Sequence, residues 1–454
     1  MSTSGLNRVE KKAAFSLATV FGLRMLGLFM ILPVFAIYGE QLDGYSPIWL
    51  GLAIGAYGLT QALLQIPMGI LSDKFGRKPI ILAGLVVFLI GSIIAAISET
   101  IYGVVIGRAI QGMGAIASAV LALAADLSRE EQRPKVMATI GMFIGLSFAL
   151  AMVLGPVVAQ AYGLAGLFWF TAILTVLAML MIQFMVPYSV HKAPRGDNVA
   201  LPEQIGRLLI HPQLFRLNLG VFILHMALTA CFVILPKLFV ESGLALEQHW
   251  QLYLPVLLGS FFLMVPFMII AIKKQKEKQM FAASVLLLSI SLLLMWYLPT
   301  SFLALVVTVF LFFTAFNYLE ATMPSILSRL APAGVKGSVM GAYSSSQFMG
   351  AFTGGLLGGA IASHYGPQMI FLAMAAFSLI WFGFAMSMQQ LKKSKSYSLA
   401  TDITCEERAD EVAEHLAAMP GVIEATLVHT EAVAYIKIDD KVADIQEIKL
   451  LLKS

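Results

Sequence analysis

The chain is poor in charge. Asp, Glu, Lys and Arg make up 12% of its 454 residues, about half the 25% or so usual for a soluble globular protein. That is too little to solvate the surface of a folded domain of this length. The formal net charge is +4, too small to point to a nucleic-acid partner. There are two cysteines, Cys231 and Cys405. They lie in different parts of the chain, so both are expected to be free thiols, which excludes a disulfide-rich fold. No Gly-Lys-Ser/Thr phosphate loop occurs, which argues against an ATP-driven pump. No nucleophile–base constellation or metal-ligand cluster is visible either, so the chain does not read as an enzyme, and no cofactor or metal is expected.

What the chain has in abundance is apolar sequence, 59% of all residues, against roughly 45–50% in soluble domains. Runs long enough to cross a bilayer, about 20 residues each, recur through most of the chain. They read as twelve spans at about 13–37, 48–70, 79–97, 102–126, 135–160, 164–187, 213–240, 250–272, 280–298, 302–328, 337–361 and 366–390. The first contains Arg24, is too long for a cleavable leader and lacks a clear small-residue cleavage site, so it is expected to stay as a helix.

Charge is distributed by side. Lys11 and Lys12 precede the first span; Lys74, Arg77 and Lys78 follow the second; Arg129, Arg133 and Lys135 the fourth; and Lys192, Arg195 and Arg207 the sixth. Lys273, Lys274, Lys276 and Lys278 follow the eighth, Arg329 and Lys336 the tenth, and Lys392, Lys393 and Lys395 the twelfth. The alternate loops carry Glu40, Asp43, Glu99, Glu241 and Glu247, with Lys237 as the main exception. Basic loops stay on the cytoplasmic side, so both termini of this multi-pass membrane protein are expected there.

The spans fall into two sets of six. Residues 1–187 and 213–390 are separated by a polar, basic segment, 188–212, containing Pro194, Gly196 and Pro202. Three pairs align at one offset of 203 residues: Val136-Met137-Ala138 with Val339-Met340-Gly341, Tyr162-Gly163 with Tyr365-Gly366, and Gly155-Pro156 with Gly358-Gly359. Such a repeat places a site between the halves, near the bilayer midplane. Residues 391–454 form a charged tail without a span. A strand at Tyr397–Ile403, a helix at Glu406–Met419, strands at Val422–His429 and Ala432–Ile438 around a Thr430-Glu431 turn, and a helix at Val442–Leu452 give the order β-α-β-β-α. This reads as a ferredoxin-like cytoplasmic domain whose final strand is not obvious. Its open edge could serve a partner or a second copy.

The loop after the second span packs an acid, a glycine and two bases into Gly69-Ile70-Leu71-Ser72-Asp73-Lys74-Phe75-Gly76-Arg77-Lys78. Read plainly, it is a solvated loop obeying the charge rule. Read more sharply, it is a charge clamp in which Arg77 pairs with a carboxylate, and Asp126 at the end of the fourth span is a natural partner. Gly69, Asp73, Gly76, Arg77 and Lys78 resemble the signature loop of the major facilitator superfamily. Arg108-Ala109-Ile110-Gln111-Gly112 resembles the Arg-x-x-Gln-Gly motif of its proton-coupled members, the drug:proton antiporters. In the fifth span Gly155-Pro156 match the antiporter motif, while Ala151, Ala159 and Gln160 stand where it has glycines. The resemblance implies an all-α protein of the cell inner membrane whose two six-helix bundles rock around a central cavity. It also implies that Asp73 faces the start of the eleventh span near Gly337-Ser338, that Arg77 pairs with Asp126, and that this cluster stabilises the outward-open state. Its second-half counterpart, Lys273 to Glu277, has largely lost the signature.

Ionisable residues at membrane depth are functional candidates because their burial is costly. Glu320, in the tenth span, is the clearest acid on a pathway and a candidate for proton exchange; the plainer reading is a permanently paired carboxylate. Asn317 lies one turn earlier on the same face. Arg108 and His225 are further candidates for proton coupling, although His225 could equally be a packing histidine. Arg24 reads as a substrate contact or a tie between helices, and Gln61 and Gln65 share a cavity-facing side of the second span. In the tail, Ile403-Thr404-Cys405-Glu406-Glu407-Arg408 is similar to a heavy-metal-associated loop. Arg408 replaces its second cysteine, leaving a poor soft-metal site. The leading expectation is a secondary transporter that exchanges small molecules or drugs for protons across the lipid bilayer. The alternative is a non-transporting sensor that signals through the tail.

Overall fold

In a computed structural model of the chain, residues 5–129, 132–187, 206, 208, 210–298, 301–332, 335–389, 395–403, 405–429, 431–439, 442–443 and 445–452 are described. The expected linker at 188–212, with Lys192, Arg195 and Arg207, falls mostly outside them, as do Lys392 and Lys393.

Among the described residues, ten helical segments are long and apolar enough to cross a membrane. One of them is double. Arg133–Phe184 is continuous in its hydrogen bonding but reverses at Gly163, whose φ of 65° interrupts the helix. Gly366, at the repeat offset, has a φ of 90° and joins the eleventh and twelfth spans. This left-handed region is open to glycine at little cost, so the two halves turn the same corner with the same residue. The twelfth crossing is completed by the eleventh span, Lys336–Tyr365. Its glycines and serines keep its hydropathy below that of the other spans.

The spans are therefore Arg8–Phe29 with Leu32–Tyr38, Pro47–Phe75, Arg77–Ile97, Ile101–Met113 with Ala117–Asp126, the two arms of Arg133–Phe184, Pro212–Phe232 with Leu235–Glu241, His249–Lys273, Glu277–Tyr297, Phe302–Leu330, Lys336–Tyr365 and Met369–Met386. Local sequence sets several starts. Ser46 accepts from the Trp49 amide ahead of Pro47, and Thr100 accepts from the Gly103 amide. Both are side-chain caps on otherwise unpaired helix N–H groups.

Apolar burial does not drive helices together inside lipid; close approach of small residues does. The eleventh span is the pivot of that packing. A Cβ on Gly355 would strike the carbonyl oxygen of Gly51, and one on Gly359 the carbonyl oxygen of Pro47, in the second span. On its other side, Gly350 and Gly354 lie against the backbone of Phe222 and Met226 in the seventh. The glycines let one helix touch both halves.

The tail is a three-stranded antiparallel sheet, β1 (Lys395–Ala400), β2 (Val422–Val428) and β3 (Val433–Ile438), in the order β1-β3-β2. The helix Glu406–Ala418 follows β1 and packs on the sheet with Ala409 and Leu416. β3 is central and buried along its length. β1 ends earlier than expected because the Thr401 amide turns to Ala432 and its hydroxyl to the carbonyl of Leu452. The last helix, Ile445–Leu451, starts later because Val442 and Ala443 bond back to Asp439 in a turn. The expected ferredoxin-like order thus holds for three strands, and no fourth strand is seen among the described residues.

Candidate functional site

The two ends of the helical body differ. The end bearing the loops at 72–78 and 273–278 is called the basic end, and the end bearing Glu40 and Glu247 the acidic end.

At the basic end, Gly76 has a φ of 99° and separates the second span from the third. Arg77 is thereby the first residue of the third span. A cation beside a helix N-terminus is unfavourable by about 0.3–1 kcal/mol, and the arrangement is held by stronger contacts. Arg77 Nη2 lies 3.1 Å from Asp73 Oδ1 and Nε 3.1 Å from Asp126 Oδ2, while Nη1 donates to Ser72 Oγ at 2.9 Å. Ser72 in turn donates to the carbonyl of Gly69. All three charged side chains are buried, where removal of one partner costs about 3–5 kcal/mol. Lys78 is buried beside them. The predicted Arg77–Asp126 pair is therefore present, with Asp73 drawn into it. The register of the second and eleventh spans runs from Pro47 at Gly359 through Gly51 at Gly355 to Ala62 at Ser345. Continued, it brings Asp73 level with the start of the eleventh span, where Ser338 is fully buried.

The second half has its own pair. Glu277, the first residue of the ninth span, lies 3.0 Å from Arg329 near the end of the tenth. The places match those of Arg77 and Asp126, with acid and base exchanged. The sequence reading passed over this pair because it looked for the signature with its signs kept. The signal was there, since Arg329 stands at the 203-residue offset from Asp126.

At the acidic end, Lys237 Nζ is 2.9 Å from Glu40 Oε1, joining the two halves. Lys237 is the base that broke the charge rule, and this contact accounts for its position. Both side chains are about half exposed, so the pair alone contributes about 0–1 kcal/mol. The backbone contacts of Gly51, Gly355 and Gly359 seal the same end more firmly.

Between these ends lie two polar clusters. In the first half, Arg24 Nη2 donates to Gln61 Oε1 at 2.9 Å and to the carbonyl of Gly114 at 3.1 Å, and Gln61 donates to Gln65 Oε1 at 3.1 Å. Gly114 lies where the fourth span is interrupted between Met113 and Ala117. Arg108 is served by the carbonyls of Ala53 and Ile54 and by Gln111, which donates onward to Ser92. The Tyr57 ring lies 5.7 Å from the Arg24 guanidinium carbon and 5.2 Å from that of Arg108. Thus Arg24, Gln61 and Gln65 come together in one hydrogen-bonded chain. Arg108 is tied to the second span and not to a carboxylate.

In the second half, Glu320, His225 and Gln347 converge from the tenth, seventh and eleventh spans. Gln347 Nε2 lies 3.2 Å from Glu320 Oε1 and 2.8 Å from His225 Nε2. His225 Nδ1 lies 3.2 Å from the carbonyl of Val221. A carbonyl can only accept, so Nδ1 carries a proton, and Nε2 then accepts from Gln347. Glu320 Oε2 has no hydrogen-bond partner and lies 3.7 Å from His225 Nε2. Asn317 instead donates to Ser260 in the eighth span. Gln347 was not foreseen, because one glutamine in a Gly- and Ser-rich helix carries no pattern of its own.

The tail meets the body at one of these elements. Lys437 Nζ donates to the carbonyl of Ala331, just past the tenth span, at 3.3 Å. Burial pushes its ammonium pKa below the usual lysine range, with Glu424 opposing that shift. Cys231 is buried and Cys405 exposed, both as free thiols.

The family model of the Major Facilitator Superfamily matches residues 17–352 and 257–402, and that of the YajR YAM domain matches 406–454. The chain is 43% identical over 445 residues to the inner membrane transport protein YajR of Escherichia coli (strain K12), covering 98% of each chain. It is 39% identical over 350 residues to an uncharacterized transporter of Buchnera aphidicola subsp. Acyrthosiphon pisum, covering 77% of this chain and 90% of that one. Among solved structures, it superimposes on the human organic anion transporter MFSD10 with a TM-score of 0.63 and 20% identity, covering 83% of this chain and 99% of that one.

Proposed function

The chain belongs to the Major Facilitator Superfamily, and from that premise we propose that it exports a small molecule across the bacterial inner membrane in exchange for protons. That it is a multi-pass membrane transporter follows from the family. The coupling ion, the direction and the drug-like character of the cargo are the proposal.

The observation that carries it is the Glu320 cluster. A carboxylate oxygen without a partner sits 3.7 Å from an imidazole nitrogen, and one glutamine bridges both groups. A proton arriving on His225 Nε2 displaces the bond from Gln347 and turns toward Glu320 Oε2. A proton arriving on Glu320 frees the carboxyl from its charge at membrane depth. Either event changes which of three spans are tied together, and this is the kind of local change that biases two global states.

The basic end is assigned to the cytoplasm, with both termini there, from the distribution of Lys and Arg. With Glu40–Lys237 and the glycine contacts sealing the acidic end, and Asp73 level with the buried start of the eleventh span at the basic end, the structure is assigned to an occluded stage of the cycle. Asp73, Arg77 and Asp126, with Gly69, Gly76 and Lys78, form the gate. Parting Asp73 from the eleventh span opens the basic end, and parting Glu40 from Lys237 opens the other. Arg24, Gln61 and Gln65 belong to the cavity. Asn317 is assigned a supporting place through Ser260.

The test is proton movement in vesicles carrying the purified protein under an imposed pH gradient, with lipophilic cations, sugars and organic acids added in turn. Substrate-triggered proton release, lost in Glu320→Gln, is the expected result. Release that persists in that variant would remove Glu320 from the coupling step.

A sensor that signals through the tail is the second reading. It is favoured by the Lys437–Ala331 contact, which links the tail to the helix that carries Glu320. The outer strands β1 and β2 also offer edges for self-association. Removing residues 391–454 separates the readings. A transporter keeps its flux and a sensor loses its output.

A further inference from the structure

We propose that Arg24 anchors the oxyanion head group of the transported molecule, so that the cargo is an organic anion with an apolar body; this rests on the transporter reading above. Arg24 carries an unmet electrostatic demand. Arg24 is 1% exposed, in a span whose only acids, Glu10 and Glu40, lie near its two ends. The second to sixth spans carry Asp73 and Asp126 at the basic end and no Asp or Glu at membrane depth. The interior of the first half therefore holds two guanidinium groups, Arg24 and Arg108, and no carboxylate.

The two arginines differ in how they are served. Arg108 has an acceptor for Nε, Nη1 and Nη2. Arg24 uses Nη2 alone, and its Nε and Nη1 are buried without a partner. The hydroxyl of Tyr57, whose ring faces the guanidinium, is also buried and without a hydrogen-bond partner. Acceptors nearby, Gln61 Oε1 and Gln65 Oε1, are already taken. What is left over around Arg24 is thus two guanidinium donors, one hydroxyl able to donate, and positive charge. A ligand that completes the cluster must bring acceptors and negative charge, and carboxylate, sulfonate and phosphate groups do both.

The surroundings define the rest of the ligand. The guanidinium lies 5.3 Å from the Phe88 ring and 5.7 Å from that of Tyr57, and Phe348 of the other half lies edge-on to Tyr57 at 6.1 Å. Aromatic walls close to the charge favour an apolar or aromatic body over a sugar-like one. Arg24 is sealed in this structure, and the backbone beside it is irregular. The fourth span is interrupted at Gly114–Ile116, and the Gly114 carbonyl there accepts from Arg24. Interrupted helices at membrane depth recur where transporters hold their ligands.

The experiment compares two probes of the same size and opposite charge, 1-naphthoate and 1-naphthylmethylammonium. Binding to the full chain in phosphatidylcholine nanodiscs is measured by equilibrium dialysis, with no pH gradient. Wild type is expected to bind naphthoate at least about tenfold more tightly than the ammonium. Arg24→Gln should lower naphthoate affinity by about ten- to a hundredfold and abolish the preference, as expected for a charge-assisted contact. Tyr57→Phe should lower it a few-fold and leave the ammonium unchanged; it keeps the proposal testable if Arg24→Gln fails to fold. Equal or tighter binding of the ammonium, no binding of naphthoate at millimolar concentration, or a preference that survives in folded Arg24→Gln would each overturn the proposal. Replacing part of the lipid with phosphatidylglycerol identifies the source of the oxyanion. Competition with naphthoate that depends on Arg24 assigns the site to a lipid head group, and absence of competition to a soluble acid. Naphthoate preference without proton flux would keep the anion site and remove the coupling, whereas proton-coupled flux of cations alone would do the reverse.

Discussion

Glu277 and Arg329 form a 3.0 Å ion pair that reproduces, with the charges exchanged, the pair made by Arg77 and Asp126 in the first half. Each pair joins the first turn of one span to the last turn of the next, so each fixes a helical hairpin at the basic end. In the second half Glu277 also sits favourably at a helix N-terminus and Arg329 near a C-terminus. The first half has the opposite polarity and relies on two carboxylates around one arginine. Glu277 and Arg329 are about a quarter exposed, so screening reduces the value of their pair to roughly 1 kcal/mol. Glu277→Arg should lower the melting temperature of the detergent-solubilised protein by a degree or so, about what a 1 kcal/mol loss gives in a chain of this size. Adding Arg329→Glu should restore part of it, because the ion contact is remade while both charges now oppose the helix dipoles. Failure of the double variant to recover would show that the contact is incidental.

The first-half cluster is more deeply buried and its loss should be larger. Asp126→Asn leaves Arg77 with one carboxylate and should cost about 3 kcal/mol. Asp73→Asn should instead favour separation of the basic end, because it removes the charge facing the start of the eleventh span. Alkylation of Ser345→Cys, in a background lacking Cys231 and Cys405, should then be faster from that side. An unchanged rate in folded protein would count against Asp73 as a gate.

In the Glu320 cluster, His225→Gln retains a side chain able to bond Gln347 but cannot hold a proton. Substrate binding should persist while proton release per molecule transported falls. If proton release is unaltered, His225 is a packing histidine and Glu320 acts without it.

Gly355 meets the Gly51 carbonyl with no room for a Cβ. Gly355→Leu should hold the acidic end open, seen as faster labelling of Ala360→Cys, which adds no new Cβ, from that side in the same cysteine-free background. Labelling confined to the basic end would show that the two spans part at another point.

The tail contact has a pH signature. Lys437 is buried against Ala331, and burial lowers its pKa from the ordinary 10.5. The undocked lysine therefore binds more protons than the docked one between the lowered value and 10.5. Docking strengthens as pH rises through that window and is weakest below it. Limited proteolysis between the twelfth span and β1 should slow from neutral to alkaline pH in wild type. Lys437→Met should remove that trend, and a trend surviving in the variant would assign it to another group.

Much of this was legible because lipid imposes strict rules on a chain. The spacing of apolar runs gave the spans, Tyr162-Gly163 and Tyr365-Gly366 marked matching corners, and Asp126 could be paired with Arg77 from their places alone. The illegible parts depend on helix rotation. Whether Asn317 turns to Glu320 or to Ser260 is decided by how the tenth helix faces the eighth. Gln347 reaches His225 only because the glycines of its helix bring three spans together. In the tail, the end of β1 and the start of the last helix were missed by a few residues because Thr401 and Asp439 divert the backbone through hydrogen bonds that alternation cannot reveal.

The composition of the eleventh span also bears on how the protein is made. A helix spaced with glycine and serine so that two neighbours can touch its backbone has little affinity of its own for hydrocarbon. It partitions poorly as a single segment during synthesis. The strongly apolar twelfth span, joined to it through the tight corner at Gly366, supplies the missing insertion free energy if the two enter as a hairpin. The residues that let the halves meet thus make the last step of assembly depend on the helix synthesised after them, and a chain cut after Tyr365 should leave its eleventh span outside the membrane.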